Sequence, residues 1–279
     1  MAFDPTSRTN RLFWNEYADT IYAEEWVRKV SVQVAECLQS NIDWIEIRKS
    51  SSPSASPVKL LDYACGFGAV STTLFEHADV IRGVDVSDHM VDAYNRLATQ
   101  LGVSPQRMSA VQGNVLDDEH SSAALDGPDF SDVDAVFMTM ALHHIQDPVA
   151  LLSKLVHRMA PGGVLVLVDW LAGGAPSASS SSHPHAAHSH GHGHGHGQGQ
   201  GHGHSHAHVH AHAHSTITRG SYSEQELRDI FRAAGCDESS FGLRPHVESS
   251  LVPEHSSGVP GGLRKQLFIA RARKPGSSP

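Results

Sequence analysis

Two acidic residues with a glycine-containing turn between them are the first candidates for chemistry. An apolar run over 58–61 ends at Asp62 and leads into a turn that contains Gly66 and Gly68, and a second apolar run over 80–84 ends at Asp85. Glycine lets the backbone come close to a ligand, and a carboxylate at the tip of the second strand can accept hydrogen bonds from ribose hydroxyl groups. The pattern predicts a nucleotide site at the carboxyl edge of a parallel sheet.

Two adjacent histidines, His143 and His144, follow the apolar stretch 133–138, at the edge where open α/β sheets bind ligands. A neutral imidazole can take a proton from a hydroxyl, thiol or amine near pH 7, which makes both residues candidates for a catalytic base. The alternative is that each ring is held by a helix end or a backbone carbonyl group and has no part in catalysis. Asp169, after the fifth predicted strand, is a further candidate.

The spacing of the glycines argues against two common nucleotide sites. A dinucleotide site requires Gly-x-Gly-x-x-Gly, but Ser71 occupies the position of the third glycine. A P-loop requires Gly-Lys followed by Ser or Thr, and no such triplet occurs in the chain. An NAD-dependent enzyme is therefore a poor interpretation.

The turn reads Asp-x-Ala-x-Gly-x-Gly, which resembles motif I of the class I S-adenosylmethionine-dependent methyltransferases. Four later segments resemble further motifs of that superfamily in the same order, at 83–94, 111–115, 134–148 and 159–169. The resemblance covers about residues 58–170, and the ubiquinone/menaquinone-biosynthesis-like small-molecule methyltransferases are the most similar group. The chain departs from motif I at Ala64, where glycine is usual, and we expect the turn to tolerate this alanine if its φ stays negative.

The resemblance implies S-adenosylmethionine as the cofactor. By this resemblance, Asp62 would reach the amino group of the methionine moiety, Asp85 would accept from the ribose hydroxyls, and Asn114 would accept from the adenine amino group. Tyr22 belongs to an N-terminal helical segment that would fold over the cofactor as a lid, although simple packing of this ring is the alternative. The residues expected to hold the cofactor are Tyr22, Asp62, Ala64, Gly66, Gly68, Asp85, Val86, Met90, Asn114, Val115, Thr139 and Met140.

Composition sets further bounds. The chain has 279 residues, 39% of them hydrophobic, and a net charge of −9, which suits one ordinary domain outside a low-complexity tract. Without a basic stripe we expect no nucleic-acid partner, and without an apolar run of about 20 residues we expect no membrane partner. Three scattered cysteines predict free thiols in a reducing compartment, so a cytoplasmic or alternatively nuclear protein is expected.

Alternating apolar runs and amphipathic segments predict an α/β fold. We expect a doubly wound Rossmann-like sheet, mostly parallel with an antiparallel final strand, and helices on both faces.

Ser87 is a predicted N-cap, and Ser223 with Glu226 forms a predicted capping box before a helix that Gly235 closes. Residues 1–11 are expected to be loose. Predicted strands lie at 58–63, 80–85, 109–112, 133–138, 164–168, 239–244 and 266–271, and predicted helices at 12–47, 70–77, 88–101, 149–159 and 222–235.

The chain divides into four predicted segments. Residues 1–57 form a helical lid and linker, 58–172 the cofactor-binding core, 173–215 a disordered Ser/Gly/His-rich insertion, and 216–279 the C-terminal helix and final strands of the same domain.

The histidine tract runs from His183 to His214. Such imidazoles bind Zn²⁺, Ni²⁺ or Cu²⁺ without fixed geometry and become cationic as the pH falls through ~6.5, while a repeat expansion without a role is the alternative. No structural metal site is predicted.

These observations favour a methyltransferase that acts on a small-molecule acceptor. The helical lid and the lack of a basic face support the small-molecule interpretation. The alternatives are a protein methyltransferase, or a metal-binding or metal-buffering protein that uses the histidine tract beside a non-catalytic Rossmann-like domain.

Overall fold

A seven-stranded sheet forms the centre of the molecule. The computed structural model describes residues 5–49, 56–116, 123–173 and 216–276. The strand order is 3-2-1-4-5-7-6; strands 1 to 5 are parallel, and β7 is antiparallel to both β5 and β6. The predicted α/β class, parallel sheet and antiparallel final strand are confirmed. The strands are β1 (Lys59–Tyr63), β2 (Val80–Asp85), β3 (Met108–Gln112), β4 (Val133–Thr139), β5 (Met159–Leu171), β6 (Asp237–Val252) and β7 (Leu263–Arg273).

Helices cover both faces of this sheet, which explains the continuous apolar runs of its central strands. Alternate residues of β5 point to opposite faces. Val164 and Val166 belong to the apolar cluster that contains α2, whereas Leu165 and Leu167 belong to the cluster that contains α6 and α7. The helices are α1 (Pro5–Ala23), α2 (Glu25–Ser40), α3 (Ile42–Ile45), α4 (Ala69–Thr73), α5 (Asp88–Gln100), α6 (Pro148–Arg158) and α7 (Glu224–Ala233), with a further short helix Glu254–Ser257.

The predicted helix ends are confirmed. The Ser87 hydroxyl accepts a hydrogen bond from the Met90 amide at 3.2 Å and so caps α5. Ser223 and Glu226 form both bonds of a capping box at the start of α7. Gly235 follows α7 with φ of 94°, a left-handed conformation that glycine adopts without strain.

The N-terminal segment differs from the prediction. Residues 1–11 were expected to be loose, but α1 begins at Pro5. Asn10 is buried, and the Arg11 guanidinium lies 2.7 Å from the Asp88 carboxylate at the start of α5. Polar side chains with distant partners order this segment, and a pattern based on apolar periodicity does not detect them.

Several element boundaries also differ. Strand β5 begins at Met159 where 164 was predicted, and β7 spans Leu263–Arg273 where 266–271 was predicted. The predicted helix 70–77 is divided into α4 and a 3₁₀ turn, Phe75–His77. Strand β6 continues to Val252, far beyond the predicted end at residue 244, through what was expected to be a connection. It is an edge strand with register shifts and contains Pro245, so its sequence lacks the apolar run that marked the central strands.

All three cysteines, Cys37, Cys65 and Cys236, are free and buried. Within the described residues, no helix combines the length and the apolar character needed to cross a membrane. The cellular compartment stays a prediction.

Candidate functional site

The turn after β1 has an unusual backbone. Ala64, Gly66 and Gly68 all have positive φ values, of 57°, 51° and 88°. A negative φ, the condition under which the turn was expected to tolerate Ala64, is therefore not met. A left-handed conformation costs a residue with a Cβ atom about 1–2 kcal/mol, so the turn keeps Ala64 under strain.

The two glycines of the turn face different neighbours. A Cβ atom on Gly66 would lie 3.2 Å from the hydroxyl oxygen of Tyr22. A Cβ atom on Gly68 would lie 2.9 Å from Cδ2 of Tyr94, a fully buried ring of α5. Gly66 thus keeps space open beneath the N-terminal segment, whereas Gly68 allows the turn to pack on the core.

Asp85 ends β2 and fixes the same turn. Its carboxylate oxygens accept from the Gly66 amide and from the Ser87 amide, each at 2.9 Å. Burial raises the pKa of this carboxyl group above its usual value, although the amide donors oppose the rise. The buried Asp85 carboxylate therefore links the turn after β1 to the residue that precedes α5, at the edge of the sheet.

A cavity of about 120 Å³ lies at the carboxyl ends of β1, β2 and β4, and we call it the smaller cavity. Nine of the twelve residues predicted to hold a cofactor line it. They are Tyr22, Ala64, Gly66, Asp85, Val86, Met90, Asn114, Thr139 and Met140. The fold thus brings most of the predicted residues together around one cavity.

The other three predicted residues, Asp62, Gly68 and Val115, are not among the described residues that line this cavity. Asp62 is buried, and its carboxylate accepts from the Ser71 hydroxyl at 2.6 Å, toward α4. Burial raises the pKa of Asp62 to about 7. Val115 is part of the apolar core.

Asn114 lines the smaller cavity, but its side chain is already engaged. Its carbonyl oxygen accepts from the Tyr63 hydroxyl and from the Leu116 amide, both at 3.0 Å, and its amide nitrogen donates to the Ser7 hydroxyl. Two donors occupy both lone pairs of that oxygen. The expected acceptance from an adenine amino group would need one of them to leave.

His143 forms a pair with the fully buried Asp169. Its Nδ1 lies 2.8 Å from Asp169 Oδ1, and the carboxylate also accepts from the backbone amides of His143 and Trp170. Burial alone would raise the pKa of Asp169, but the charge of His143 and these donors outweigh it and lower the pKa. Because the carboxylate is ionised, it orients the ring with the proton on Nδ1 and leaves Nε2 as the basic nitrogen.

His144 has a different environment. Its Nδ1 donates to the carbonyl oxygen of Thr216 at 2.9 Å, and its ring meets Trp14 edge to face. Burial, with a smaller effect of the charge of His143, lowers the pKa of His144 to about 3. The ring is neutral at pH 7 and is a weak base, so the structure separates the two histidines that the sequence left equivalent.

A second cavity, of about 730 Å³, adjoins the first, and we call it the larger cavity. His143 and Trp26 are among its walls. Six residues line both cavities, namely Trp14, Tyr22, Ala64, Thr139, Met140 and His144. The two spaces therefore meet above the turn after β1 and the end of β4.

Sequence reasoning missed most of the larger cavity. Its walls include Trp14 of α1, Trp26 of α2, Trp170 of β5 and Lys265 of β7. These residues are far apart in the chain and form no motif. The density of tryptophan near the N-terminus was the available signal, and it indicated packing equally well.

Helix α1 contributes to both cavities and is tied to their rim by polar contacts. Besides the Arg11–Asp88 ion pair, the Ser87 hydroxyl donates to the Asn15 side chain at 2.6 Å. These contacts fix α1, which carries Trp14 and Tyr22, against the N-terminus of α5, and the role of α1 as a lid stays a prediction.

The described residues contain no group of three or more His, Cys, Asp or Glu side chains that could hold a metal ion. The tract from His183 to His214, for which unspecific metal binding was considered, lies outside the described residues.

Comparisons with known proteins identify a methyltransferase domain in part of the chain. A family model described as a methyltransferase domain matches residues 61–165. An uncharacterized methyltransferase of Schizosaccharomyces pombe is 37% identical over 119 residues, which are 43% of this chain and 41% of that protein. The match thus spans less than half the length of this curated relative.

Solved structures share the fold. Geranyl diphosphate C-methyltransferase from Streptomyces coelicolor A3(2), in complex with Mg²⁺, geranyl diphosphate and S-adenosyl-L-homocysteine, has a TM-score of 0.57 at 16% identity, covering 98% of this chain and 100% of that one. Magnesium protoporphyrin IX methyltransferase from Synechocystis PCC 6803 with bound S-adenosylmethionine has a TM-score of 0.54 at 14% identity, covering 98% of both chains. Residues 61–165 of the chain thus match a methyltransferase domain, and the solved structures share its fold.

Proposed function

We propose that the chain is an S-adenosylmethionine-dependent methyltransferase that acts on a small-molecule acceptor. The observation that carries the proposal is the junction of the two cavities. The smaller cavity has the residues expected around the cofactor, and it meets the larger cavity at Tyr22, Met140 and His144. Transfer between two bound molecules requires two adjoining sites that hold the reacting groups together.

The residues of the smaller cavity fit the cofactor. Gly66 presents backbone alone beneath Tyr22, since a Cβ atom there would approach the Tyr22 hydroxyl. The Asp85 carboxylate accepts from the Gly66 and Ser87 amides, and a carboxylate has about four acceptor positions, so it retains capacity to accept from ribose hydroxyls. In this proposal Val86 and Met90 flank the adenine, and Thr139 and Met140 enclose the methionine moiety. When bound, S-adenosylmethionine supplies a methyl group activated by its positively charged sulfur.

His143 is the proposed catalytic base. Its Nε2 takes the proton of an acceptor hydroxyl, thiol or amine, and the Asp169 carboxylate at Nδ1 stabilises the charge that the ring gains. His144 stays neutral, and Trp14 and Tyr22 cover the junction and exclude water.

The size and lining of the larger cavity support a small-molecule acceptor. Its volume of about 730 Å³ suits a ligand of ordinary size. Two of the structures that share the fold are named for small molecules, geranyl diphosphate and magnesium protoporphyrin IX. The metal-buffering alternative depends on the histidine tract and gains no support from the described residues.

Titration calorimetry with S-adenosylhomocysteine tests the proposal. We expect wild-type protein to bind with micromolar affinity and Asp85→Asn to bind about 30-fold more weakly, because one charge-assisted hydrogen bond contributes about 2 kcal/mol. The matched control is Asp92→Asn, an exposed acid of the following helix α5, which should bind as the wild type does. Circular dichroism checks that each variant is folded. A wild-type protein that does not bind would contradict the proposal.

A further inference from the structure

The larger cavity has an uneven distribution of charge. Its walls include three cationic side chains, Arg28, Arg219 and Lys265, and no Asp or Glu among the described residues. The whole chain carries a net charge of −9, so the charged side chains of this wall differ in sign from the chain as a whole. The cavity therefore favours a ligand with negative charge.

The three cations are not equivalent. The Arg219 guanidinium lies 2.9 Å from a Glu226 carboxylate oxygen, so its charge is largely balanced. Lys265 is half-buried, and its ammonium group donates to the Gly220 carbonyl oxygen at 2.8 Å. An ammonium group has three donors, so two remain for a ligand. Lys265 is thus the strongest candidate for an anion contact.

The buried Asp169 carboxylate near Lys265 is engaged by other donors. Asp169 is close enough to affect the ionisation of Lys265, but its carboxylate accepts from His143 and from the Trp170 amide. The Lys265 ammonium instead lies 5.3 Å from the centre of the Trp170 ring. A carbonyl oxygen and an aromatic ring offset only part of the cost of removing a half-buried ammonium group from water, and an anionic ligand would offset more of it.

The rest of the larger cavity is mainly apolar. Phe13, Trp26, Val30, Val34, Trp170 and Val252 are among its walls. Such a surface gains free energy when it covers a hydrocarbon or aromatic body, in proportion to the apolar area removed from water. The cavity thus combines an apolar body site with cationic groups at its wall.

We infer that the acceptor is an amphipathic anion, with an apolar aliphatic or aromatic body and an anionic group that binds at Lys265, with Arg28 as a second cation. This inference rests on the proposed function, because it names the acceptor class of the same site. A neutral apolar acceptor, with the Lys265 stem packed along the wall and its ammonium turned to water, is the outcome that the test must exclude.

The test compares three ligands of equal chain length, octanoate, 1-octanol and octylammonium, by calorimetry on protein saturated with S-adenosylhomocysteine. We expect octanoate to bind about 10-fold more tightly than 1-octanol, and octylammonium most weakly, since one hydrogen bond between charged groups contributes about 1.5 kcal/mol. Lys265→Met keeps the apolar stem and should remove the advantage of octanoate while leaving 1-octanol binding unchanged. The control Lys29→Met, an exposed lysine of α2 that does not line the cavity, should retain it.

Equal or tighter binding of 1-octanol to the wild type would overturn the inference. So would failure of octanoate to bind, or a preference for octanoate that survives in both Lys265→Met and the double variant with Arg28→Met. S-adenosylhomocysteine is titrated first, in the same cell. Its failure to bind would overturn the proposed function, whereas the three ligands, then titrated into the cofactor-free protein, would still decide the preference of the cavity.

Discussion

The smaller and larger cavities adjoin each other but arise from the sequence in different ways. The smaller cavity is built where consecutive strands end, from short segments that include Ala64, Asp85 and Thr139. The larger cavity is built from side chains of α1, α2, β5 and β7 that only the fold brings together. A site made of backbone turns and strand ends leaves a local sequence pattern, whereas a site made of packed side chains does not.

The largest expected effect is a loss of methyl-transfer rate at His143, in the larger cavity, without a loss of cofactor binding in the smaller cavity. His143→Gln removes the basic nitrogen held by Asp169, and we expect the rate of methyl transfer to fall by about 100-fold or more with unchanged cofactor affinity. The measurement is single-turnover transfer of a labelled methyl group to an acceptor, alongside calorimetry with S-adenosylhomocysteine.

His144→Gln is the matched control. Its ring is a weak base, with a pKa of about 3, so we expect the rate to change by less than about 10-fold. A larger loss of rate in His144→Gln than in His143→Gln would show that His144 takes the proton, and this would contradict the mechanism.

The second effect concerns Asp62, a buried acid of β1 that does not line the smaller cavity. Burial raises the pKa of Asp62 to about 7, so the folded protein holds this proton up to a higher pH than the unfolded chain does. The stability that protonated Asp62 provides is full below about pH 4 and is lost as the pH rises through about 7. Asp62→Asn should therefore become more stable than the wild type over this range, by an amount on the order of 2 kcal/mol at pH 8.

Urea denaturation at pH 4.5, 6 and 8 measures the difference. Asp85 also has a raised pKa, but it is present in both proteins and its effect cancels. The exposed Asp92→Asn should show a small difference that does not grow with pH. A constant difference for Asp62→Asn across the series would show that Asp62 is ionised in the folded protein throughout. The cofactor affinity of the same variant reports whether Asp62 reaches the amino group, as the resemblance implies.

The smallest effect tests the strained turn. Ala64→Gly removes the penalty of a left-handed alanine, and after the greater entropy loss of glycine we expect a gain of about 0.5–1 kcal/mol in the free energy of unfolding. Ala69→Gly, at the exposed first position of α4, should instead lose about 0.5 kcal/mol or less. Urea denaturation of both variants gives the signs. A loss in Ala64→Gly as large as that in Ala69→Gly would contradict a strained φ at Ala64.

The sequence predicted the sheet and the smaller cavity well because both have local signals. Strand β2 is found at its predicted boundaries, since strands buried on both faces are continuously apolar. The strand-end acid Asp85 and the turn at Gly66 lie together because parallel strands end at one edge.

The remaining differences have physical causes that a local pattern does not contain. The edge strand β6 is half polar, so its extension to Val252 was missed. The roles of His143 and His144 were equivalent in the sequence and differ only through Asp169 and Thr216, which are distant in the chain. The charge of the larger cavity likewise depends on Lys265, which reaches Trp170 only after β7 pairs with β5.

A crystal structure of the protein with S-adenosylhomocysteine would test the central claim most directly. We predict electron density for the ligand in the smaller cavity, with its ribose hydroxyls within hydrogen-bonding distance of the Asp85 carboxylate and with the larger cavity left open beside His143. Ligand density confined to the larger cavity, or side chains closed over Gly66 in a crystal grown with saturating ligand, would contradict the account.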